Sequence, residues 1–295
     1  MYQHVIVQQR ARLSEKRRQM CIETDREHLV PLEDVDTLTL SNHQSVITTC
    51  LLNDLVENGS SVIICGRNHQ PTGILMPFGA YSRRLGLIQL QIHLPKPRQK
   101  RIWQRIVQQK IKNQGKCLSL AGKKDIVTIL ADKVHSGDDK NVEAVAAARY
   151  FKELFGKGFI RHDADLANSA LDYGYAIIRS SIARFLAVYG FEPCLGIHHH
   201  SETNAFNLAD DIIEPFRPVV DLYVYTHPSE DVELSKEMKQ GLVALLRENI
   251  QLGKETVSMD YAIESVVQNL IRCYREKEEQ FLLPELLPLS PHRYE

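Results

Sequence analysis

The 295-residue chain carries 36 lysine and arginine residues against 37 aspartate and glutamate residues, so its net charge is close to zero. An even overall balance says little about partners, because the charges are unevenly distributed along the chain. No apolar run approaches the length of a membrane span, and the amino-terminal MYQHVIVQQRAR lacks the apolar core of a signal peptide. The six cysteines are scattered singly without a CxxC pair, which argues against a disulfide or zinc framework and predicts reduced thiols in a cytoplasmic protein.

The first eighty residues predict a β-rich, sandwich-like domain, taken as residues 1–80. Short β-branched or apolar runs alternate with turn formers, and the runs are HVIVQ, QMCIET, DTLTL, SVIIC and GILMPF. One helix is predicted within them over Ser45 to Val56, with Val46, Cys50 and Leu51 on one stripe. Asn58-Gly59 would end it.

From about residue 81 onward the periodicity is helical, which predicts a carboxy-terminal all-α-helical domain over residues 81–295. Between Lys96 and Lys116 the chain has no acidic residue and eight basic ones, namely Lys96, Arg98, Lys100, Arg101, Arg105, Lys110, Lys112 and Lys116. The apolar face of this amphipathic helix comprises Ile102, Trp103, Ile106, Val107 and Ile111. The outer face of this helix carries only positive charges and is either a solvated surface or a surface that contacts phosphates. The complete absence of acidic residues favours contact with phosphates. Arg67, Arg83 and Arg84 would add to it.

The next segments predict further helices. In HSGDDKNVEAVAAARYFKELFG, either Asp138, Asp139 or Asn141 can cap a helix whose first turn contains Glu143. A carboxylate in a first turn favours the helix dipole and needs no further function. A long apolar helix follows over IRHDADLANSALDYGYAIIRSSIARFLAVYG, and two more are predicted over SKEMKQGLVALLRENIQLG and SMDYAIESVVQNLIRCYREKEEQF. The proline-rich end PELLPLSPHRYE is expected to fray.

Three consecutive histidines, His198 to His200, precede an acidic helical turn that contains Asp210, Asp211 and Glu214. Either Asn204 or Asn207 can cap this helix, and Pro215 would close it. A loop histidine beside carboxylates on a helix face begins a divalent-metal site, whose third ligand must come from elsewhere in the chain. Three adjacent histidines on an exposed loop can also be merely solvated, or bind metals adventitiously.

Four segments together resemble one family. They are EAVAAARYF (143–151), ADLANSALDYGYAIIR (164–179), EPCLGIHHH (192–200) and FNLADDIIEPFRPVVD (206–221). With them the chain resembles the CRISPR-associated endonuclease/integrase that captures new spacers during adaptation, and most closely the version found in type II systems. The resemblance extends over nearly all of the sequence. It implies an α+β protein with an amino-terminal β domain and a carboxy-terminal helical catalytic domain.

The resemblance also implies a metal site formed by Glu143, His199 and Glu214, which are catalytic residues and ligands of Mg²⁺ or Mn²⁺. His199 is selected from the three histidines by its register after Gly196. More distant members have an aspartate where Glu214 stands, and Asp211 matches another acid that either supports the ligands or shares the metal. The implied reaction is attack of DNA 3′-hydroxyls on repeat phosphodiesters, which inserts a short duplex into a CRISPR array.

The partners that the resemblance implies are double-stranded DNA (prespacer and CRISPR repeat), a second copy of the chain and a dimer of a small companion protein, with no membrane involved. The apolar strands of residues 1–80 would supply the homodimer face. Two other hypotheses stay open: a transposon-type integrase of the same superfamily, and a non-catalytic DNA-binding scaffold whose acidic cluster is structural.

Overall fold

The computed structural model describes residues 3–66, 71–75, 84–163, 165–228, 234–276 and 280–292. The chain divides into two compact units, Met1–Leu85 and Gly86–Glu295. The boundary predicted at residue 80 lies outside the described residues, as do Arg67 and Arg83. The predicted α+β class is confirmed, because strands dominate the first unit and helices the second.

The first unit contains two four-stranded sheets around one core. Its strands are β1 (Gln3–Val7), β2 (Arg12–Lys16), β3 (Gln19–Glu23), β4 (Glu27–Pro31), β5 (Val35–Leu40), β6 (Val46–Ile47), β7 (Ser61–Cys65) and β8 (Pro71–Leu75), and its helix α1 is Thr49–Glu57. The strand orders are β1-β5-β7-β8 and β4-β3-β2-β6. Leu13 and Met20 of one sheet, Leu38 of the other and Leu51 and Leu55 of α1 are fully buried in a common cluster. This shared core explains why the short strands fold together.

Helix α1 begins four residues later than predicted. Val46 and Ile47 pair in parallel with Arg12 and Leu13 of β2, and β-branched residues favour such a strand. The Thr48 hydroxyl then accepts a hydrogen bond from the Leu51 amide at 3.4 Å and caps the helix. The predicted apolar stripe was therefore wrong for Val46 and Cys50, which are exposed, and right for Leu51.

The second unit is built around one long central helix. Its helices are α2 (Arg84–Ile92), α3 (Lys96–Leu120), α4 (Val142–Phe155), α5 (Leu166–Val188), α6 (Asn207–Ile212), α7 (Arg217–Thr226), α8 (Lys236–Ala244) and α9 (Met259–Arg275). Single 3₁₀ segments lie at Thr128–Lys133, Glu214–Phe216 and Leu245–Arg247, and a further one at Leu32–Asp34 belongs to the first unit. Helix α3 packs against α4, α7 and the Glu214–Phe216 turn, with Ile106, Val107 and Ile111 fully buried. None of the helices in the described ranges is both long and apolar enough to cross a membrane.

The second unit is not purely helical, which corrects the all-α prediction in one respect. Strands β9 (Asn249–Leu252), β10 (Glu255–Ser258) and β11 (Pro284–Glu285) form a small antiparallel sheet. The segment ENIQLG, predicted as helix, supplies β9. The end of the chain does not fray through residue 292 either, because β11 pairs with β9 and Leu286 is buried.

Candidate active site

Glu143 lies in the first turn of α4, and Asp138 caps that helix. The Asp138 carboxylate accepts hydrogen bonds from the amides of Val142 at 2.9 Å and Glu143 at 3.0 Å. Asn141 occupies the cap position with a positive φ of 50° but makes no capping bond with its side chain. Of the three predicted candidates, Asp138 therefore caps the helix. The Glu143 carboxylate is left available for another partner.

That partner is Lys110 of α3. The Lys110 ammonium donates to Glu143 Oε1 at 2.5 Å and also contacts Glu214 Oε2. Burial disfavours the charged form, but the carboxylates of Glu214 and Glu143 outweigh it, so the pKa of Lys110 lies above its ordinary value. One buried cation thus joins two carboxylates that are 71 positions apart in the sequence.

The prediction that Lys110 belongs to the outer basic face was wrong. Lys110 is only 9% exposed and follows Ile106 and Val107 by one helical turn, so it shares their inward face. Arg98 is half-buried and donates to the Tyr274 carbonyl oxygen at 2.7 Å. The remaining cations of the helix are exposed, and they are Lys96, Lys100, Arg101, Arg105, Lys112 and Lys116.

Glu214 is presented by the turn between α6 and α7. Pro215 does not simply close the acidic helix, because it lies within the Glu214–Phe216 3₁₀ turn that leads directly into α7. The Arg217 Nε donates to Glu214 Oε1 at 2.9 Å. Burial alone would raise the pKa of Glu214, but the positive charges of Arg217 and Lys110 lower it to about 2. Glu214 is therefore a carboxylate at neutral pH.

Neither predicted asparagine caps α6, because Phe206 stands at the cap position and provides no side-chain bond. Asn204 and Asn207 instead fasten the loop that precedes the helix. The Asn204 side chain accepts from the Phe206 amide at 3.0 Å, and Asn207 donates to the carbonyl oxygens of Cys194 and Ser201 at 3.0 and 2.9 Å. These bonds hold the histidine loop against α6.

Asp211 is fully buried and organises the histidine loop. Its Oδ2 accepts from the amides of Ile197 at 2.5 Å and His198 at 3.1 Å, while its Oδ1 accepts from the His199 amide at 3.1 Å. The same Oδ1 lies 2.8 Å from His199 Nδ1. This last bond places the Nδ1 proton toward Asp211 and leaves Nε2 of His199 for another partner. It also raises the pKa of His199.

The three histidines have different environments. The His198 ring stacks face to face on Trp103, with ring centroids 4.1 Å apart, and burial lowers the pKa of His198. His200 is exposed. A Cβ on Gly196 would lie 2.2 Å from the His199 carbonyl oxygen, so the loop requires glycine at this position. His199 is thus the histidine that the loop orients through a buried carboxylate.

The donor set suits a divalent cation, although the predicted ligand atoms do not lie within coordination distance of one another. Within the described ranges, the trio of metal-ligating side chains with all ligand atoms within 4.8 Å is Glu15, Cys50 and Asp54 of the first unit, not the three predicted ligands. Glu143 and Glu214 meet instead across the Lys110 ammonium, and Glu214 contributes to the raised pKa of His199. Buried Glu214 Oε2 contacts this cation. Glu143 and Glu214 need a positive charge between them, and the ring of His199 is held in one orientation. Two carboxylates and an imidazole of this kind are a donor set suited to Mg²⁺ or Mn²⁺.

A buried network of polar side chains lies next to Arg217. Asp221 accepts hydrogen bonds from the hydroxyls of Tyr150, at 2.8 Å, and of Tyr175. Burial raises the pKa of Asp221 to about 6, and the tyrosine bonds oppose that rise. The Arg217 guanidinium lies over the Tyr175 ring, 4.5 Å from its centroid. Tyr175 therefore supports the arginine that holds Glu214.

The fold and the site define a two-unit α+β protein whose helical unit brings two carboxylates onto one buried ammonium and orients a histidine through a third carboxylate. Residues 4–232 match the family model described as CRISPR associated protein Cas1. The chain is 39% identical, over 100% of its length and 99% of the relative's, to the CRISPR-associated endonuclease Cas1 of Neisseria meningitidis serogroup C (strain 8013). The chain belongs to the Cas1 family. The predicted family is confirmed, and with it the class of enzyme, an endonuclease.

Solved structures share the fold at low sequence identity. The Cas1 protein TM1797 from Thermotoga maritima has a TM-score of 0.70 at 19% identity, covering 94% of this chain and 98% of that one. A casposase bound to integration product has a TM-score of 0.73 at 18% identity, covering 95% and 92%. A partial Cas6-RT-Cas1–Cas2 complex matches with a TM-score of 0.71 at 20% identity, covering 96% and 98%.

Proposed function

We propose that this chain is a metal-dependent DNA endonuclease and integrase that inserts short DNA duplexes as new spacers into a CRISPR array. The observation that carries the proposal is the convergence of Glu143 and Glu214 on one cation position, with His199 oriented by Asp211. The named relative is a CRISPR-associated endonuclease, and one fold neighbour is bound to an integration product. These names support the same class of reaction for this chain.

In the proposed reaction Glu143, His199 and Glu214 would hold Mg²⁺ or Mn²⁺. When bound, the ion supplies Lewis acidity toward a phosphodiester and toward the attacking water or 3′-hydroxyl. Asp211 keeps the Nδ1 proton of His199 in place, so that Nε2 presents a lone pair. Hydrolysis and strand transfer then share one site and differ only in the nucleophile.

The exposed cations of α3 are the proposed contact with the DNA backbone. Lys112 and Lys116 are exposed one helical turn apart on the helix that also carries Lys110. Phosphate contacts of this kind position a duplex without reading its sequence. A homodimer through the first unit and a small companion protein are part of the proposal, as is a cytoplasmic location; the fold neighbours that contain Cas2 support the companion.

The test is integration of a labelled duplex into a repeat-bearing plasmid, with the companion protein and with Mg²⁺, Mn²⁺ or EDTA. We expect His199→Ala, Glu143→Gln and Glu214→Gln to reduce integration to the EDTA level while each variant stays folded. His200→Ala is the matched control, because His200 is an exposed neighbour of His199 on the same loop and is not one of the proposed ligands, and it should integrate at the wild-type rate.

The outcomes separate the three hypotheses. Normal integration by His199→Ala would show that the site assignment is wrong. Equal integration into plasmids with and without a repeat would indicate a transposon-type integrase acting outside CRISPR. Complete absence of any metal-dependent product from the wild-type protein, on linear or branched duplexes, would favour a DNA-binding scaffold.

A further inference from the structure

We propose that the Lys110 ammonium and the divalent cation compete for the same two carboxylates, so that ion binding requires Lys110 to leave the site. This inference rests on the proposed metal site and adds a residue that the proposal itself does not use. The Lys110 Nζ lies 2.5 Å from Glu143 Oε1 and also contacts Glu214 Oε2. An ion bound by those oxygens would stand next to this nitrogen, where two positive charges repel strongly.

The structure gives Lys110 the features of an exchangeable counter-charge. Its side chain is 11% exposed, and those of Glu143 and Glu214 are 21% and 6% exposed. Without a positive charge between them, the two carboxylates would face each other in a poorly solvated site, which is unfavourable. Lys110 therefore keeps the site assembled when no ion is bound.

The departure of Lys110 needs no change in the backbone. A lysine carries its charge on a flexible four-carbon stem, so the ammonium can move while α3 stays in place. Arg217 remains on Glu214 through its Nε at 2.9 Å and is supported by the Tyr175 ring. Glu214 consequently keeps one positive partner, and only Glu143 exchanges its ammonium entirely for the ion.

With competition, the apparent affinity for the ion is the intrinsic affinity multiplied by the fraction of molecules in which Lys110 has left the carboxylates. If the ammonium holds the carboxylates in nine molecules of ten, removing its charge should tighten ion binding about tenfold. If Lys110 only supported the shape of the site, its removal would loosen the ligands. Ion binding would then become weaker rather than tighter.

The experiment measures Mn²⁺ binding to the full chain by calorimetry or by electron paramagnetic resonance of free Mn²⁺. The variants are Lys110→Met, which keeps length without charge, Lys110→Arg, which keeps charge, and Lys152→Met, an exposed control on α4, the helix that carries Glu143. We expect Lys110→Met to bind about tenfold more tightly, with Lys152→Met unchanged and Lys110→Arg no tighter than wild type. Lys110→Met should also melt at a lower temperature without Mn²⁺, and saturating Mn²⁺ should close that gap.

Equal or weaker Mn²⁺ binding by Lys110→Met would overturn the inference. Failure of the metal site itself gives a different result: wild type would bind no Mn²⁺, or Glu214→Gln would bind it as well as wild type does. If Lys110→Met does not fold, amine acetylation of the wild-type protein, followed by mass spectrometry, replaces the variant. Lys110 should then be protected without Mg²⁺ and become several-fold more reactive with it, against constant Lys112 and Lys116; unchanged protection would contradict the exchange.

Discussion

Replacing Asp211 with asparagine tests how far the histidine loop depends on one buried carboxylate. The two oxygens of Asp211 divide four donors between them, with the amides of Ile197 and His198 on Oδ2 and the amide and Nδ1 of His199 on Oδ1. An asparagine amide presents one oxygen and one NH₂ group. In either orientation of the asparagine amide, its NH₂ group faces two of the four donors, and those two hydrogen bonds are lost.

The magnitude follows from those two lost bonds. Hydrogen bonds to a charged group contribute about 1.5–3 kcal/mol each, so Asp211→Asn should lower the free energy of unfolding by about 3–6 kcal/mol. The Asp211 side chain is 0% exposed, so water does not screen this loss. Such a change is a large part of the roughly 5–15 kcal/mol by which proteins are stable.

The assay is urea unfolding of the full chain, together with ¹⁵N NMR of the histidine rings. The control is Asp139→Asn, an exposed acid that should change stability by no more than about 0.5 kcal/mol. We also expect the ring of His199 to lose its single tautomer in Asp211→Asn. Unfolding at the wild-type urea concentration, with an unchanged His199 tautomer, would refute the role given to Asp211.

Three further predictions concern the loop, the buried network and the basic face. Gly196→Ala should cost about 1–3 kcal/mol in urea unfolding because its Cβ would meet the His199 carbonyl oxygen, whereas Gly158→Ala, which has open space, serves as the control. The pKa of Asp221 is raised from 3.8 to about 6, so the folded protein binds the proton more tightly and stability should fall as pH rises from about 4 to about 6. Asp221→Asn should reduce this loss of unfolding free energy by at most about 3 kcal/mol. An equally steep dependence of stability on pH in the variant would contradict the role given to Asp221. The double variant Lys112→Gln/Lys116→Gln should weaken DNA binding and reduce the slope of log affinity against log salt by about 2, measured by fluorescence anisotropy; an unchanged slope would remove these residues from the DNA surface.

The sequence predicted the β-rich start and the helical remainder because periodicity and turn chemistry are local properties. Errors arose where a tertiary partner decided the outcome. Val46-Ile47 looks like the start of a helix until β2 offers it a strand to pair with. Similarly, ENIQLG continues a helical pattern, but β11 arrives from more than thirty residues away and pairs with it.

The site divides in the same way. Motif resemblance selected Glu143, His199 and Glu214, and the structure gives His199 a distinct environment through Asp211. Lys110 was placed on the outer face because a run of like charges suggests a solvated surface. Its position one turn after Ile106 and Val107 was a signal that it faces inward. The pairing of Lys110 with carboxylates from α4 and from the Glu214–Phe216 turn is visible only in the three-dimensional structure, because no local sequence pattern records it.

The carboxy-terminal segment is tied to the centre of the helical unit by one side chain. Asn113 of α3 donates to the carbonyl oxygens of Pro215 at 2.7 Å and Pro284 at 2.9 Å, and accepts from the Leu286 amide at 3.2 Å. The residue after Glu214 and the last strand thus share a single amide group. Trimming the chain before residue 284, a common step in preparing proteins for crystallisation, would strip this amide of Pro284 and Leu286, two of its four hydrogen-bond partners. Shortened versions of the protein that are meant to stay active should therefore retain the final segment.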